Sequence, residues 1–365
     1  MRPLTPLRAR PPRSALLAGA AGLLALAALT TSCSGPNGVT LGTDWKGSED
    51  FTLSRIGGQL AVVGINPEKH RAEPLTVVPA QGDDDDTLAP QIAHLANGKW
   101  LLAVGRKGGK PDRLYVLDAK NRAVGRQAAV EEAAHGIVAS AHYLAGVPGQ
   151  ADSGDGGHSS VLVGDGADLR RTVRTVRVDG TVSQAAGGTD SDKLCVTQDE
   201  GKGRSRRTRV LSLDLATGRT DRVIPFTGGT QAQTVACRGG RPVVGTPAAG
   251  RSGVVSMERR HDMDVVRAVG GRVDQLAVDG GTVAAAVFHG GKEILVTFDT
   301  ATGHRTAQVT LPGLTDAAQV VRTRAGWLVV SPQDGAAVVR DGAAGSAGPD
   351  DVRHISLPGQ FLAAS

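Results

Sequence analysis

Short apolar runs dominate the chain beyond residue 50. Runs of four to eight Val, Leu, Ala and Thr residues alternate with polar positions or stand unbroken, and Gly, Asp or Asn ends each one. Examples are QLAVVGI at 59–65, KWLLAVG at 99–105 and GWLVVSP at 326–332. Apolar residues do not repeat at helical spacing for more than two turns. The pattern therefore predicts an all-β chain.

Acidic turns recur at a regular interval along these strands. They are expected to close the third strand of successive units at Asp118, Asp179, Asp214, Glu258, Asp299 and Asp341. The mean interval is near 45 residues, and a repeated four-stranded unit of about 40–50 residues is typical of a β-propeller. The best complete unit is 272–312.

Working outward from that unit predicts seven four-stranded blades, with six or eight still open. The expected units are 51–87, 88–130, 134–188, 189–229, 231–270, 272–312 and 314–362. We expect N- and C-terminal strands to share a blade and close the ring, since the tail at 353–364 is apolar enough to do so. A pair of β-sandwiches is the alternative, but it would need two domains and a linker.

Two turns carry a family resemblance. Asp214 to Gly218 reads DLATG, and Asp299 to Gly303 reads DTATG, each between two strands. Asp can bond the backbone of its own turn, and Gly tolerates a positive φ. These turns resemble those of quinoprotein-like and YVTN-type propeller repeats. Quinoprotein repeats carry a Trp in the strand after the turn, and neither unit has one here, so we expect no quinone and no other cofactor.

The first 33 residues have the layout of an export signal. A basic segment precedes the 15-residue apolar run Ala15–Leu29, which is too short to span a bilayer core of about 30 Å. Small residues then lead to Cys33, and this ending resembles the lipobox of bacterial lipoprotein precursors. The resemblance implies cleavage before Cys33, a diacylglyceryl group on its thiol, and a location on the outer face of the cell membrane. An ordinary signal peptide and an uncleaved anchor are the alternatives.

These signals predict three segments. Residues 1–32 form the signal peptide, residues 33–50 a flexible tether of Gly, Ser, Asn and Asp, and residues 51–365 the propeller.

Charge and composition exclude some functions. Residues 1–32 carry four arginines and no acid, so the remaining chain has 37 basic and 36 acidic residues. The formal net charge of +5 is thus mostly a property of the signal, and we expect no nucleic-acid partner. Aromatic residues make up only 3% of the chain, which disfavours aromatic-lined sugar clefts and base-stacking platforms.

Two cysteines remain in the body, Cys195 in KLCVT and Cys237 in TVACR. Export permits a disulfide between them, but free buried cysteines are equally ordinary in such strands. The sequence leaves both possibilities open.

No catalytic motif or metal-ligand spacing is evident, and no metal is expected. The strongest charge features are the basic run KGRSRRTR at 202–209, with Arg204, Arg206 and Arg207, and the acidic run Asp83, Asp84, Asp85 and Asp86. Each is typical of a solvated loop. In a propeller, connections between blades share a face with those between second and third strands. Both runs are therefore expected on one rim, where they could bind a charged ligand.

The sequence thus favours a monomeric, membrane-tethered, non-enzymatic propeller that binds a ligand or an envelope protein. The alternative is an exported hydrolase, lyase or dehydrogenase whose channel residues have no recognisable motif.

Overall fold

A computed structural model describes most of the chain beyond residue 37. The described residues are 38–79, 90–104, 113–129, 136–147, 158–165, 168–188, 190–200, 207–225, 232–247, 253–259, 262–342 and 351–364.

The described residues form seven antiparallel sheets of four strands each. In chain order the strands are β1 (Asp50–Ile56), β2 (Gln59–Asn66), β3 (Arg71–Val77), β4 (Gln91–His94), β5 (Trp100–Val104), β6 (Arg113–Asp118), β7 (Ala123–Ala129), β8 (Gly136–Ala139), β9 (Tyr143–Val147), β10 (His158–Asp165), β11 (Asp168–Asp179), β12 (Thr181–Gly187), β13 (Lys193–Glu200), β14 (Arg207–Asp214), β15 (Arg219–Pro225), β16 (Thr234–Arg238), β17 (Arg241–Gly245), β18 (Val254–Arg259), β19 (Asp262–Ala268), β20 (Arg272–Asp279), β21 (Thr282–His289), β22 (Lys292–Asp299), β23 (Arg305–Leu311), β24 (Gln319–Thr323), β25 (Gly326–Ser331), β26 (Gly335–Val339), β27 (Val352–Ile355) and β28 (Gln360–Ala364).

The sheets are the blades of a seven-bladed β-propeller, as the sequence predicts. Six blades are consecutive four-strand meanders, from β4–β7 to β24–β27. The first blade has the order β28-β1-β2-β3, so the last strand of the chain pairs with the first. This pairing closes the ring with N- and C-terminal strands, as expected.

Apolar packing between blades holds the ring together. The described residues contain seven buried hydrophobic clusters, and each one joins two adjacent blades. One of them joins Ile65 of the first blade to Leu328 and Val338 of the seventh. Strands β25 and β26 are buried at every residue because neighbouring blades cover both faces of the middle strands. The core is therefore a set of inter-blade seams.

Three of the predicted acidic residues, Asp118, Asp214 and Asp299, close a turn at the third-strand end of their blade, and Asn66, which was not predicted, closes the equivalent turn of the first blade. The side-chain oxygens of Asn66, Asp118, Asp214 and Asp299 each accept a hydrogen bond from the backbone N–H three residues later, at 2.7–3.0 Å. The next residue has a positive φ in every case: His70 (52°), Arg122 (54°), Gly218 (72°) and Gly303 (71°). Two blades thus keep the turn without the glycine.

One blade boundary differs from the prediction. Asp179 ends β11, the outer strand of the third blade, whereas the third strand β10 ends at Asp165. Strand β12 pairs with β13 and so begins the fourth blade, although its residues fall inside the predicted unit 134–188. The interval pattern misplaced Asp179 because spacing alone does not show which strand pairs with which.

Residues 38–50 also differ from the expected tether. Val39 and Trp45 are buried, and Trp45 packs in the seam between the first two blades. The Asp44 carboxylate accepts hydrogen bonds from Asn66 at 2.6 Å and from Lys69 at 2.9 Å. This segment is therefore part of the folded body.

Candidate functional site

The predicted site residues fall into two groups. Cys33, Arg204, Arg206 and Asp83–Asp86 lie outside the described residues, so lipidation and the charged rim stay predictions. Arg207 opens β14, the third strand of the fourth blade, and pairs with Glu200 across the sheet.

The two remaining predicted residues form a disulfide in the structure. Cys195 of β13 and Cys237 of β16 have Cα atoms 5.4 Å apart, within the usual range for a bridge. Both residues are buried in the seam between the fourth and fifth blades. The bond therefore links two blades covalently across their apolar interface.

The first strands of adjacent blades contact one another through amide and hydroxyl groups. The Gln91 side chain accepts a hydrogen bond from the Ile137 N–H at 2.8 Å, and Thr234 lies 3.5 Å from the Gln275 amide oxygen. Among the described residues, no three His, Cys, Asp or Glu side chains are arranged to hold a metal ion. Nor does this part of the chain contain a helix long and apolar enough to cross a membrane.

A cleft of about 240 Å³ lies between the sixth and seventh blades. One wall is apolar, formed by Leu295, Val309, Val339 and the indole of Trp327. Hydroxyl groups face it from Thr282, Thr297 and Thr306, and the Thr297 and Thr306 oxygens lie 2.7 Å apart. Arg340, Asp341 and Gly342 complete the lining. The cleft thus combines an apolar wall, hydroxyl groups and a charged edge.

Arg322 holds the charged edge of this cleft in place. Its guanidinium forms a two-pronged ion pair with Asp341, and its Nε lies 3.5 Å from the Asp279 carboxylate of the neighbouring blade. The same group stacks over the Trp327 ring, 5.3 Å from its centre. The hydrogen bond from Arg322 lowers the pKa of Asp341. Asp341 therefore stays charged and paired with Arg322, and Arg340 adds a second cation to the edge.

A second ionic cluster lies at the same blade junction. Arg272 of β20 pairs with Asp274 and with Asp316, and it stacks 5.1 Å from the centre of the Phe288 ring. Glu293, at the start of β22, is fully buried beside this cluster. Burial, followed by the charge of Asp274, raises the pKa of Glu293 to about 8. Glu293 is therefore mostly protonated at neutral pH.

The two clusters lie on opposite faces of the ring. Asp316 belongs to the connection between blades, whereas Asp341 belongs to the hairpin between third and fourth strands. In an antiparallel meander these two kinds of connection lie at opposite ends of the strands. We call the first end the inter-blade face and the second the hairpin face, and the cleft opens on the hairpin face.

Comparison with known proteins establishes the fold alone. No protein-family model matches the chain, and no curated protein matches it either. The chain is similar to a solved complex of KlAtg21 with the coiled coil of AgAtg16, with 12% identity and a TM-score of 0.54 over 85% of this chain and 100% of that one. It is also similar to a prolyl endopeptidase (14% identity, TM-score 0.51, 80% of this chain and 48% of that one). Hydrazine synthase of Kuenenia stuttgartiensis is a third (12% identity, TM-score 0.51, 72% and 79%).

At 12–14% identity these neighbours share only the fold with this chain, and a fold by itself does not select a function. The cleft and the buried Glu293 are features that sequence reasoning missed. Thr297 and Glu293 lie in one strand segment, EILVTFD, a short apolar run that predicts only a β-strand. No local motif marks either residue, because their surroundings come from the next blade.

Proposed function

We propose that this chain is a membrane-anchored, extracytoplasmic β-propeller lipoprotein that binds a small uncharged ligand and is not an enzyme. The observation that carries the binding role is the cleft between the sixth and seventh blades. Its volume of about 240 Å³ lies below the range of about 300–1,000 Å³ that is typical of ligand sites, so only a small ligand would fit.

The lining of the cleft favours a neutral compound with both apolar and hydroxyl groups. Thr297 and Thr306 offer hydroxyls that donate or accept, while Leu295 and Val339 offer only apolar contact. A charged ligand would have to compete with the existing pair of Arg322 and Asp341. A six-carbon sugar or alcohol has the required character.

Two observations support the location. The apolar run Ala15–Leu29 followed by small residues and Cys33 has the composition of a lipoprotein signal. The disulfide between Cys195 and Cys237 is of a kind that persists in oxidising compartments outside the cytoplasm.

Membrane fractionation and intact-mass measurement of the wild type and Cys33→Ala test the anchor. We expect a mature wild-type chain that begins at Cys33 and carries a diacylglyceryl group. The variant should lack the lipid and remain uncut or be cut elsewhere, because the modified thiol is gone. Cys195→Ala with Cys237→Ala is the matched control and should keep the lipid. A wild-type mass without the lipid increment would contradict the proposal.

Calorimetric titration of the full chain in detergent tests the cleft. The probes are D-glucose, D-galactose and 1-hexanol, with hexanoate and hexylamine as charged counterparts. We expect one neutral probe to bind and Thr297→Val to weaken it about tenfold, because a site built for a hydroxyl discriminates strongly. Thr310→Val, on the same strand as Thr306 but outside the cleft, should bind normally.

Binding that is equal in Thr297→Val and the wild type would contradict the cleft as the site. Failure of every neutral probe would contradict the ligand class. Reproducible turnover of a cell-envelope substrate, with or without a chelator, would replace the binding role with an enzymatic one.

A further inference from the structure

The outer edge of the third blade differs from the other blade edges described in the structure. Its outer strand β11 has 12 residues. The other six outer strands, β3, β7, β15, β19, β23 and β27, have seven residues or fewer. Its register with β10 shifts at Gly164 and again at Asp165, so the regularly paired part of β11 is residues 174–179, which extend for about 20 Å.

Proline, one of the residues that block strand pairing, is absent from this edge, as it is from β7, β19, β23 and β27. An outer strand has a neighbour on one side only, so its other side presents backbone N–H and C=O groups to a further strand. Proline interrupts that row at Pro74 in β3 and at Pro225 in β15. Strand β11 reads DLRRTVRTVRVD and contains no proline.

The side chains of β11 hold it firmly to the ring. Val176 and Val178 are buried in the seam with the fourth blade. Arg174 donates a hydrogen bond to the Ala216 carbonyl of that blade and stacks 5.8 Å from the centre of the Tyr143 ring. Residues 174–178 are therefore packed against the fourth blade, so a partner strand would not need to order this part of the edge.

The opposite side of β11 faces solvent. Thr175 and Arg177 are exposed there, and Val173 is 41% exposed, one of two large hydrophobic residues described as exposed. The strand contains four arginines and two aspartates, so its net charge is positive. An exposed, basic strand with an apolar contact favours an acidic partner.

We propose that β11 binds an extended acidic peptide segment of a partner protein, which adds as a fifth strand to the third blade. Backbone hydrogen bonds to β11 would supply affinity, and Arg177 with Val173 would select alternating acidic and apolar side chains. This inference concerns a different blade from the cleft and does not depend on the proposed ligand.

Fluorescence anisotropy with the full chain in detergent tests this proposal. The probe is a labelled ten-residue peptide that alternates Glu with Val or Thr. We expect it to bind the wild type and to bind Arg177→Glu about three- to tenfold more weakly, since charge reversal replaces an attraction with a repulsion. Arg305→Glu, on the outer strand β23, is the matched control and should bind as the wild type does.

Two further peptides separate strand addition from simple charge attraction. A version with Lys in place of Glu should not bind. A version with N-methyl groups on alternate residues keeps its charge but loses backbone hydrogen bonds, and it should bind at least tenfold more weakly. Equal binding of the methylated peptide would overturn strand addition.

The arginines could instead only prevent self-pairing. In that case the acidic peptide would not bind the wild type, and Arg177→Ser would self-associate in analytical ultracentrifugation. That result would overturn the proposal. Both variants replace an exposed side chain, and unchanged circular dichroism would show that they fold.

Discussion

The junction of the sixth and seventh blades contains two similar ionic clusters, one on each face of the ring. On the hairpin face Arg322 binds Asp341, lies near Asp279 and stacks on Trp327. On the inter-blade face Arg272 binds Asp274 and Asp316 and stacks on Phe288. Each cluster therefore consists of one arginine, two carboxylates and one aromatic ring.

The clusters differ in how deeply their carboxyl groups are buried. The Asp341 side chain is 59% exposed, whereas that of Asp274 is 6% exposed and has the fully buried Glu293 beside it. Among the described residues, neither Glu293 oxygen has a hydrogen-bond partner of normal geometry, although the Ala317 amide lies close enough to favour the charged form. Arg322 thus lowers the pKa of Asp341, while burial raises that of Glu293. One arginine can keep two carboxylates of its cluster charged. It does not keep Glu293 charged, because Glu293 is fully buried and water cannot solvate it.

The largest expected effect comes from Glu293→Gln. The pKa of Glu293 rises from its usual 4.5 to about 8 in the folded protein. Between these values the folded state holds a proton that the unfolded state has released, so stability falls as pH rises. The stabilisation that depends on neutral Glu293 is fully present below pH 4.5 and is lost as the pH rises to about 8. One such proton corresponds to a slope of about 1.4 kcal/mol per pH unit.

The glutamine variant stays neutral and should lack this slope. Urea unfolding of the wild type and Glu293→Gln from pH 5 to 9 should therefore show an advantage for the variant that grows with pH and levels off near 8. Glu258→Gln is the control, because Glu258 is also buried but is paired with Arg222. Its replacement should destabilise the protein. A constant difference between Glu293→Gln and the wild type would contradict the raised pKa.

The two arginines should differ in a second way. Arg272→Met leaves the buried Asp274 without its cation, and we expect a loss of about 2–4 kcal/mol of unfolding free energy. Arg322→Met leaves the exposed Asp341, which water can solvate, so the loss should be about 1 kcal/mol or less. Methionine keeps the apolar stem in both variants, and chemical unfolding at pH 7 measures the difference. Equal losses would show that burial does not distinguish the clusters.

The smallest effect should come from the exposed carboxylates. The charge of Asp316 raises the pKa of Glu293, so Asp316→Asn should move the Glu293 transition to lower pH by a fraction of a unit. Asp279→Asn, on the other face, should leave that transition in place. The side chains of Asp316 and Asp279 are similarly exposed, at 64% and 57%. The pH dependence of unfolding in the two variants provides the comparison.

Much of the fold can be predicted because its determinants are local. Asp214 and Asp299 bond the backbone of their own turns, and the positive φ of Gly218 and Gly303 follows from the same five-residue stretch. Two further turns of this kind, with His70 and Arg122 at the positive-φ position, cannot be recognised in the sequence, because non-glycine residues seldom adopt that conformation. The candidate site was not predictable to the same degree, because Thr297 and Trp327 meet only when two blades pack.

Strand periodicity, the turns and the repeat length were thus decided by the sequence itself, because each depends on residues a few positions apart. Which residues and strands of different blades contact one another was decided only by the tertiary structure. It assigned β12 to the fourth blade, joined Cys195 to Cys237 and packed Trp45 in the seam between the first two blades. It also enclosed Glu293 beside Asp274, where burial rather than residue type determines the charge. These features depend on the blade that lies alongside, and closing the ring is what determines the neighbours of each blade.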